Sequence, residues 1–471
     1  MIEITNQRFN LILILPCIFI IGAFFSFFYS SNFLASISVL AYIFTMLSAI
    51  LLLRGKYSLL NPVFMFCVIS LTLYSLNWLP FLFVSDLYND TYHLIGFDSS
   101  KVEKAIVKLN LLTCLWLICA VSCHLIWRNK ISWRSSDIGF NYRNIAILII
   151  LISIFSFLIL IDKAGSFFDL MIQREITRED RLAASIGRHW FALAQMGILG
   201  LALWAFSDSK IFKAWYFLPI FLVVLVIGFI VSGNRTSIVM SCVLVYGAWA
   251  FNSKKLFSPI IAMMLVGLFL ALGLATVVRE EGFSNLQESG YDTGAQEIGF
   301  FEKLLTIRSE RAVQGSASLG VLMALDDGSP HINGESLKSI PYIPVPSSLL
   351  IKEKPPAAGR LAAQKLAGRN DTAWPVSPVV EAYWNFGILG VVISGIIYGL
   401  LSGFIYRVMI NNFDSTIFLV GYFSYITTFS VGSDGFYKFI PVLIPLTFLY
   451  FVIVLFNSIK RRMIRIDFYD N

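Results

Sequence analysis

Glu381 and Asn385 stand four residues apart, with Tyr383 and Trp384 between them. On a helix that spacing puts a carboxylate and an amide on one face, where the carboxylate could take a proton as a general base. The two aromatics are either a platform for a sugar ring or part of an aromatic belt at a membrane surface. Gly233-Asn234-Arg235-Thr236-Ser237 is a tight turn between two long apolar runs. An arginine there is costly unless it meets an anion or snorkels to water, so Arg235 reads as an anion-binding group or as a boundary anchor. Arg174, Arg178, Arg181 and Arg188 are spaced to share one helical face. A row of guanidinium groups suits phosphate oxygens, unless Glu175, Glu179 and Asp180 neutralise it in surface pairs. Arg279 ends an apolar run at the water boundary, and Arg308 and Arg311 follow it among Glu302, Glu310 and the pair Asp326-Asp327. Asp434 and Lys438, again four apart, either position substrate or form a salt-bridged turn.

Other chemistries find no motif. The sequence has no Walker sequence, no glycine-rich dinucleotide fingerprint and no His-Glu-x-x-His. The six cysteines all fall in apolar runs, which argues for small core residues rather than disulfides or metal ligands. No cofactor and no metal are expected.

The elements that must carry these residues are membrane helices. A chain of 471 residues that is 57% hydrophobic and 14% charged, with mean hydropathy +0.75, does not describe a water-soluble globule. Its apolar runs are about 20 residues long, the length a spanning helix needs, and predict an all-α integral membrane protein of about twelve transmembrane helices. They lie near residues 10–29, 33–53, 62–84, 105–127, 144–162, 190–206, 215–233, 237–252, 257–278, 386–406, 416–431 and 439–458. The first lacks a small-residue cleavage site and reads as a retained span.

Residues 1–278 thus form a membrane domain of about nine helices. Residues 279–385 form one long exterior loop, read as a lid over the bundle, and residues 386–471 the C-terminal helices with a basic tail. Within the loop, residues 300–325 and 360–366 are helix-prone, and Pro341-Tyr342-Ile343-Pro344-Val345-Pro346 predicts a rigid extended segment. Lys460, Arg461, Arg462 and Arg465 put the tail in the cytoplasm by the positive-inside rule. An even number of spans then puts the N-terminus there too and the long loop outside. The net charge of +7 suits anionic membrane lipids and calls for no nucleic acid.

Four patches resemble, in order, those of the bacterial oligosaccharide repeat-unit polymerases, the O-antigen polymerases of the Wzy type. They are Gly233-Asn234-Arg235-Thr236-Ser237-Ile238-Val239, then Pro341-Tyr342-Ile343-Pro344, then Ser377-Pro378 with Glu381 and Asn385-Phe386-Gly387-Ile388-Leu389-Gly390, and last Ser433-Asp434-Gly435-Phe436. The hydropathy profile is similar over nearly the whole chain. Arg279 and Gly290 fit an Arg-x10-Gly pattern of some members, whereas the Arg174 to Arg188 loop has no second copy.

The resemblance implies a GT-C-like fold in the bacterial inner membrane, an undecaprenyl-diphosphate-linked oligosaccharide as donor, and a chain-length-determining co-polymerase as partner. Arg235 and Arg279, with Arg174, Arg178, Arg181, Arg308 and Arg311, would then hold the diphosphate. Glu381 would be the base, and Tyr383, Asn385, Asp434 and Lys438 would contact substrate. An O-antigen ligase would use the same donor, but the long loop's His331 is followed by Ile332-Asn333-Gly334 and lacks the ligase surroundings. A flippase would line a central cavity with charges inside the spans, which these spans scarcely carry.

Overall fold

The computed structural model describes residues 33–54, 60–68, 70–71, 99–127, 142–167, 170, 188–232, 235–253, 317–344, 354–368, 373–374, 376–428, 432–436, 439–440, 443–452 and 454–455. Among them every regular element is helical. In order they are α1 (Phe33–Leu52), α2 (Ser99–Leu125), α3 (Arg143–Ala164), α4 (Arg188–Gln195), α5 (Gly197–Ser207), α6 (Phe217–Ser232) and α7 (Arg235–Ser253). After them come α8 (Ala317–Asp326), α9 (Ala358–Ala367), α10 (Pro378–Asn411) and α11 (Thr416–Thr428).

Four stretches among the described residues are long and apolar enough to cross a membrane: Lys104–Leu125, Arg143–Ala164, His189–Ser207 and Pro378–Asn411. Shorter apolar helices include Phe217–Val231, Thr416–Ile426 and Leu443–Val452. The 22 residues of α3 extend roughly 33 Å at 1.5 Å each, against a hydrocarbon core of about 30 Å. Its outward face is apolar and its inward face nearly so, with Ser153 and Ser156 as the buried polar residues. Ala146, Ile150, Ser153 and Phe157 are buried against protein, while Leu148, Leu151, Phe155 and Leu158 point outward. Phe44 of α1 and Leu389 of α10 are likewise exposed. Outward leucine and phenylalanine on this scale would be unstable in water and are the contact face in a bilayer, so the chain is a multi-pass helical membrane protein. The spans expected near 10–29 and 257–278 lie outside the described residues.

Two groups of helices divide the interior. One buried cluster joins α3, α5, α6, α7 and α11, and α4 packs on α3 and α6. The other is built on α2, which lies against α1 on one side and α10 on the other. The α2–α10 seam is tight because Gly395, Gly399 and Gly403 repeat every four residues along one face. A Cβ on Gly395 would stand 2.6 Å from the Trp116 carbonyl oxygen and one on Gly403 2.8 Å from that of His124, and Gly399 meets Ala120 closer still. Small residues at this spacing let membrane helices approach backbone to backbone. Lower on the same seam, His124 bridges Asn61 (2.9 Å) and Ser402 (3.2 Å), a buried polar chain that ties three segments together.

The described part of the long loop is built onto this second group. Val321 and Leu322 of α8, Leu361 and Ala362 of α9, and Val380 and Trp384 of α10 share one buried cluster with Leu112 and Leu117 of α2. At the end of α8, Asp326 and Asp327 pair with Lys108 (2.5 Å) and Lys101 (2.7 Å) of α2. The helix expected at 360–366 is α9, closed by Gly368 in the left-handed conformation (φ 64°). Of the helix expected over 300–325, α8 is the described portion.

One expectation is corrected. Pro341 does not lie in an extended segment but inside a 3-10 helix, Ser336–Tyr342, and Ile343 continues with helical backbone (φ −60°, ψ −48°). Proline's fixed φ serves a tight helical turn as well as an extended chain. Hydrogen bonds from Leu337 N–H to the Gly334 carbonyl and from Ile343 N–H to the Ile340 carbonyl select the turn.

Candidate functional site

The start of α10 positions the acid. Ser377 caps the helix by accepting from Val380 N–H (3.3 Å), and Pro378 takes the first helical position, where its missing N–H costs nothing. Glu381 follows in the first turn, the end of the helix dipole that favours a carboxylate. Asn385 sits one turn further on the same face, as their spacing requires.

Neither side chain is left in water: Glu381 is 2% exposed and Asn385 1%. Two segments far away in sequence supply their partners. From the 3-10 helix of the long loop, Ser336 donates its hydroxyl proton to Glu381 Oε1 (2.6 Å) and accepts from Asn385 Nδ2 (2.9 Å). From the segment before the last helix, Ser433 N–H donates to Glu381 Oε2 (2.9 Å). Asn385 Nδ2 spends its other proton on the Glu381 carbonyl (2.8 Å). Ser433 also caps α9, its Oγ accepting from Ala358 N–H (3.0 Å), so the node is anchored on all sides. Gly432 must be small here, since a Cβ would stand 2.6 Å from Glu381 Oε2.

Beyond Asn385 the helix breaks. Phe386 (φ −139°, ψ 19°) and Gly387 (φ 62°, ψ −149°) leave helical backbone, and Gly387 adopts a region open almost only to glycine. A break orphans the carbonyls ahead of it. That of Trp384 is taken up by the loop, which donates Ile332 N–H (3.0 Å) and His331 Nδ1 (3.1 Å). A carbonyl only accepts, so Nδ1 carries the His331 proton. The bend brings Gly390 against the Ala382 carbonyl.

A cavity of about 160 Å³ opens at the bend. Leu337, Phe386, Ile393 and Ile397 form its apolar walls, and Glu381, Asn385 and Ser394 are its polar side chains. Asn385 Oδ1 is buried without a hydrogen-bond partner. Leaving a buried acceptor unpaired costs about 1–3 kcal/mol, which points to a role beyond packing.

The other candidate residues fall in different places. Trp384 is 4% exposed and belongs to the core, so no sugar ring can stack on it. Tyr383 is half-buried, edge-on to the His331 ring, with Lys108 Nζ 4.8 Å from its centroid. Asp434 is the residue after Ser433, and its Oδ2 stands 3.2 Å from where a Cβ on Gly359 would be. Arg235 is the first residue of α7, just past Ser232 at the end of α6, but its side chain lies outside the described residues. So do Arg174, Arg178, Arg181, Arg279, Arg308, Arg311 and Lys438.

Ser336 and Gly432 escape a reading of the sequence, which names His331 and Gly387 but not the parts they play here. Only the glycines carry a signal, as potential sites of unusual backbone, and nothing local marks a serine as the partner of an acid 45 residues on. Among the described residues no cluster of His, Cys, Asp and Glu could hold a metal ion. The arrangement can accept a proton or a hydroxyl group at Glu381 in a small, largely apolar recess. Comparison with known protein families, curated proteins and solved structures finds no match for this chain.

Proposed function

We propose that this chain is a bacterial oligosaccharide repeat-unit polymerase, a glycosyltransferase with about twelve spans in a GT-C-like arrangement. It works in the inner membrane with both termini in the cytoplasm and the long loop in the periplasm. It moves a growing glycan from undecaprenyl diphosphate onto the non-reducing end of one lipid-linked repeat unit. One observation carries the reading. Of the four patches that resemble those polymerases, two meet at Glu381, the start of α10 and the stretch opening with Ser433, and the 3-10 helix that carries Pro341 of a third brings Ser336 to the same carboxylate.

Glu381 takes the proton from the acceptor hydroxyl as its oxygen forms a bond to the donor's anomeric carbon. The bond from that carbon to the diphosphate oxygen breaks with its electron pair passing to the leaving undecaprenyl diphosphate. Arginine guanidinium groups stabilise the charge that grows there. Arg235 and Arg279 are the first candidates, followed by Arg174, Arg178, Arg181, Arg308 and Arg311. Asn385, Tyr383, Asp434 and Lys438 orient substrate, and a chain-length-determining co-polymerase acts alongside.

Deleting and restoring the gene in its source bacterium tests this on a gel of surface glycans. Loss of the ladder with one repeat unit left on the lipid core supports a polymerase. Loss of every repeat, the single one included, would replace this reading with a ligase or a flippase.

A further inference from the structure

The node around Glu381 is short of donors. Ser336 gives its hydroxyl proton to Glu381 Oε1, Asn385 Nδ2 gives both of its protons to Ser336 Oγ and the Glu381 carbonyl, and Ser394 gives its proton to the Val391 carbonyl (3.0 Å). Every side-chain proton of these described groups is thus already committed, while lone pairs remain on Glu381 and Ser394, which line the cavity. A group that only accepts hydrogen bonds, such as a phosphate, finds no side-chain donor among them and meets an acidic side chain. A ligand that brings its own protons is matched.

We infer that this cavity is the acceptor subsite: it takes the hydroxyl-bearing face of a single neutral sugar ring, one hydroxyl on Glu381 and a neighbouring one on Ser394, and it excludes the diphosphate. The inference rests on the glycosyltransferase reading and refines it by separating the acceptor's place from the donor's. At about 160 Å³ the cavity is smaller than the roughly 300 Å³ at which pockets for larger ligands begin, which fits one ring and not an oligosaccharide. Its apolar walls suit the C–H faces of a ring whose hydroxyl edge is held at one end.

The test is saturation-transfer NMR on the full-length protein in detergent, with methyl glucoside, methyl galactoside and methyl N-acetylglucosaminide as probes and inorganic pyrophosphate as the contrast. At least one glycoside should receive saturation, and Glu381→Leu should cut that signal at least fivefold. Ser394→Leu should do the same by filling the cavity. Among the described residues Ser394 bonds within its own helix, so this variant keeps the node intact, and an unchanged melting temperature in detergent certifies its fold. Pyrophosphate line width in ³¹P spectra should be the same in wild type and both variants. No glycoside signal, a signal indifferent to Ser394→Leu, or pyrophosphate broadening that both variants abolish would overturn the assignment. Sugar binding that obeys these rules in a chain whose deletion leaves the glycan ladder intact would retain the subsite and discard the polymerase.

Discussion

Glu381 is a carboxylate with two jobs that pull in different directions. Ser336 and Ser433 hold both of its oxygens in one geometry, which orients a base but also draws on the lone pairs a base needs. The cavity beside it gives the otherwise enclosed acid one open neighbour, which is where a substrate hydroxyl would have to enter. Ser336→Ala removes one donor from a buried carboxylate and one acceptor from Asn385. It should therefore destabilise the fold by about 1–3 kcal/mol, read as a lower melting temperature in detergent together with shortened polymer. An unchanged melting curve would mean that the carboxylate does not depend on this bond. The acid and the amide are legible in the sequence from their spacing alone. Their serine partners are not, since hydrogen bonds between segments 45 and 52 residues apart leave no local pattern.

At the scale of the element, α10 performs two tasks through one break. Residues 378–385 carry the node and residues 388–411, roughly 36 Å at 1.5 Å per residue, form the long apolar limb. A run of 34 residues is longer than one span needs, and the tenth span expected from hydropathy begins at residue 386, where the backbone turns. Gly387→Ala forces a side chain into a region that costs on the order of 1–3 kcal/mol. It should lower the melting temperature and release the Ile332 and His331 bonds to Trp384, exposing the Ile332 amide to faster hydrogen exchange. Equal exchange in both proteins would show that the loop does not depend on the kink. The seam with α2 makes a second demand. Gly399→Leu drives the two backbones apart and should reduce the amount of protein recovered in the membrane, measured by immunoblot, while Leu401→Ala on an exposed face leaves it unchanged. The repeat of glycines at 395, 399 and 403 is there to be read in the sequence; its partner helix is not, because spacing names a face and not what covers it.

For the whole molecule, the described part of the long loop is no separate domain. Its described helices share a core with α2 and α10 and are fastened at the rim by Lys101–Asp327 and Lys108–Asp326. Exposed pairs of this kind contribute about 1 kcal/mol or less each, so apolar burial, not charge, holds the loop down. The helical membrane class follows from composition and run length. The Pro341 turn does not, because proline's φ fits two conformations and only long-range packing chooses. Ser329, exposed just past α8, reports the side on which the loop lies. Ser329→Cys should react with a membrane-impermeant maleimide in intact cells, against a low background from the native cysteines. Labelling only after the inner membrane is opened would invert the proposed topology.

On the proposed mechanism, the acid at the mouth of α10 performs the transfer. The most direct measurement of this is the glycan ladder of a deletion strain carrying Glu381→Gln, which keeps the shape and most hydrogen bonds of the side chain and removes its basicity. Loss of a positioned general base costs about 10²–10⁴-fold in rate. The ladder should therefore disappear and a single repeat unit remain, with the protein at its normal level in the membrane. A full ladder from that strain would contradict this mechanism.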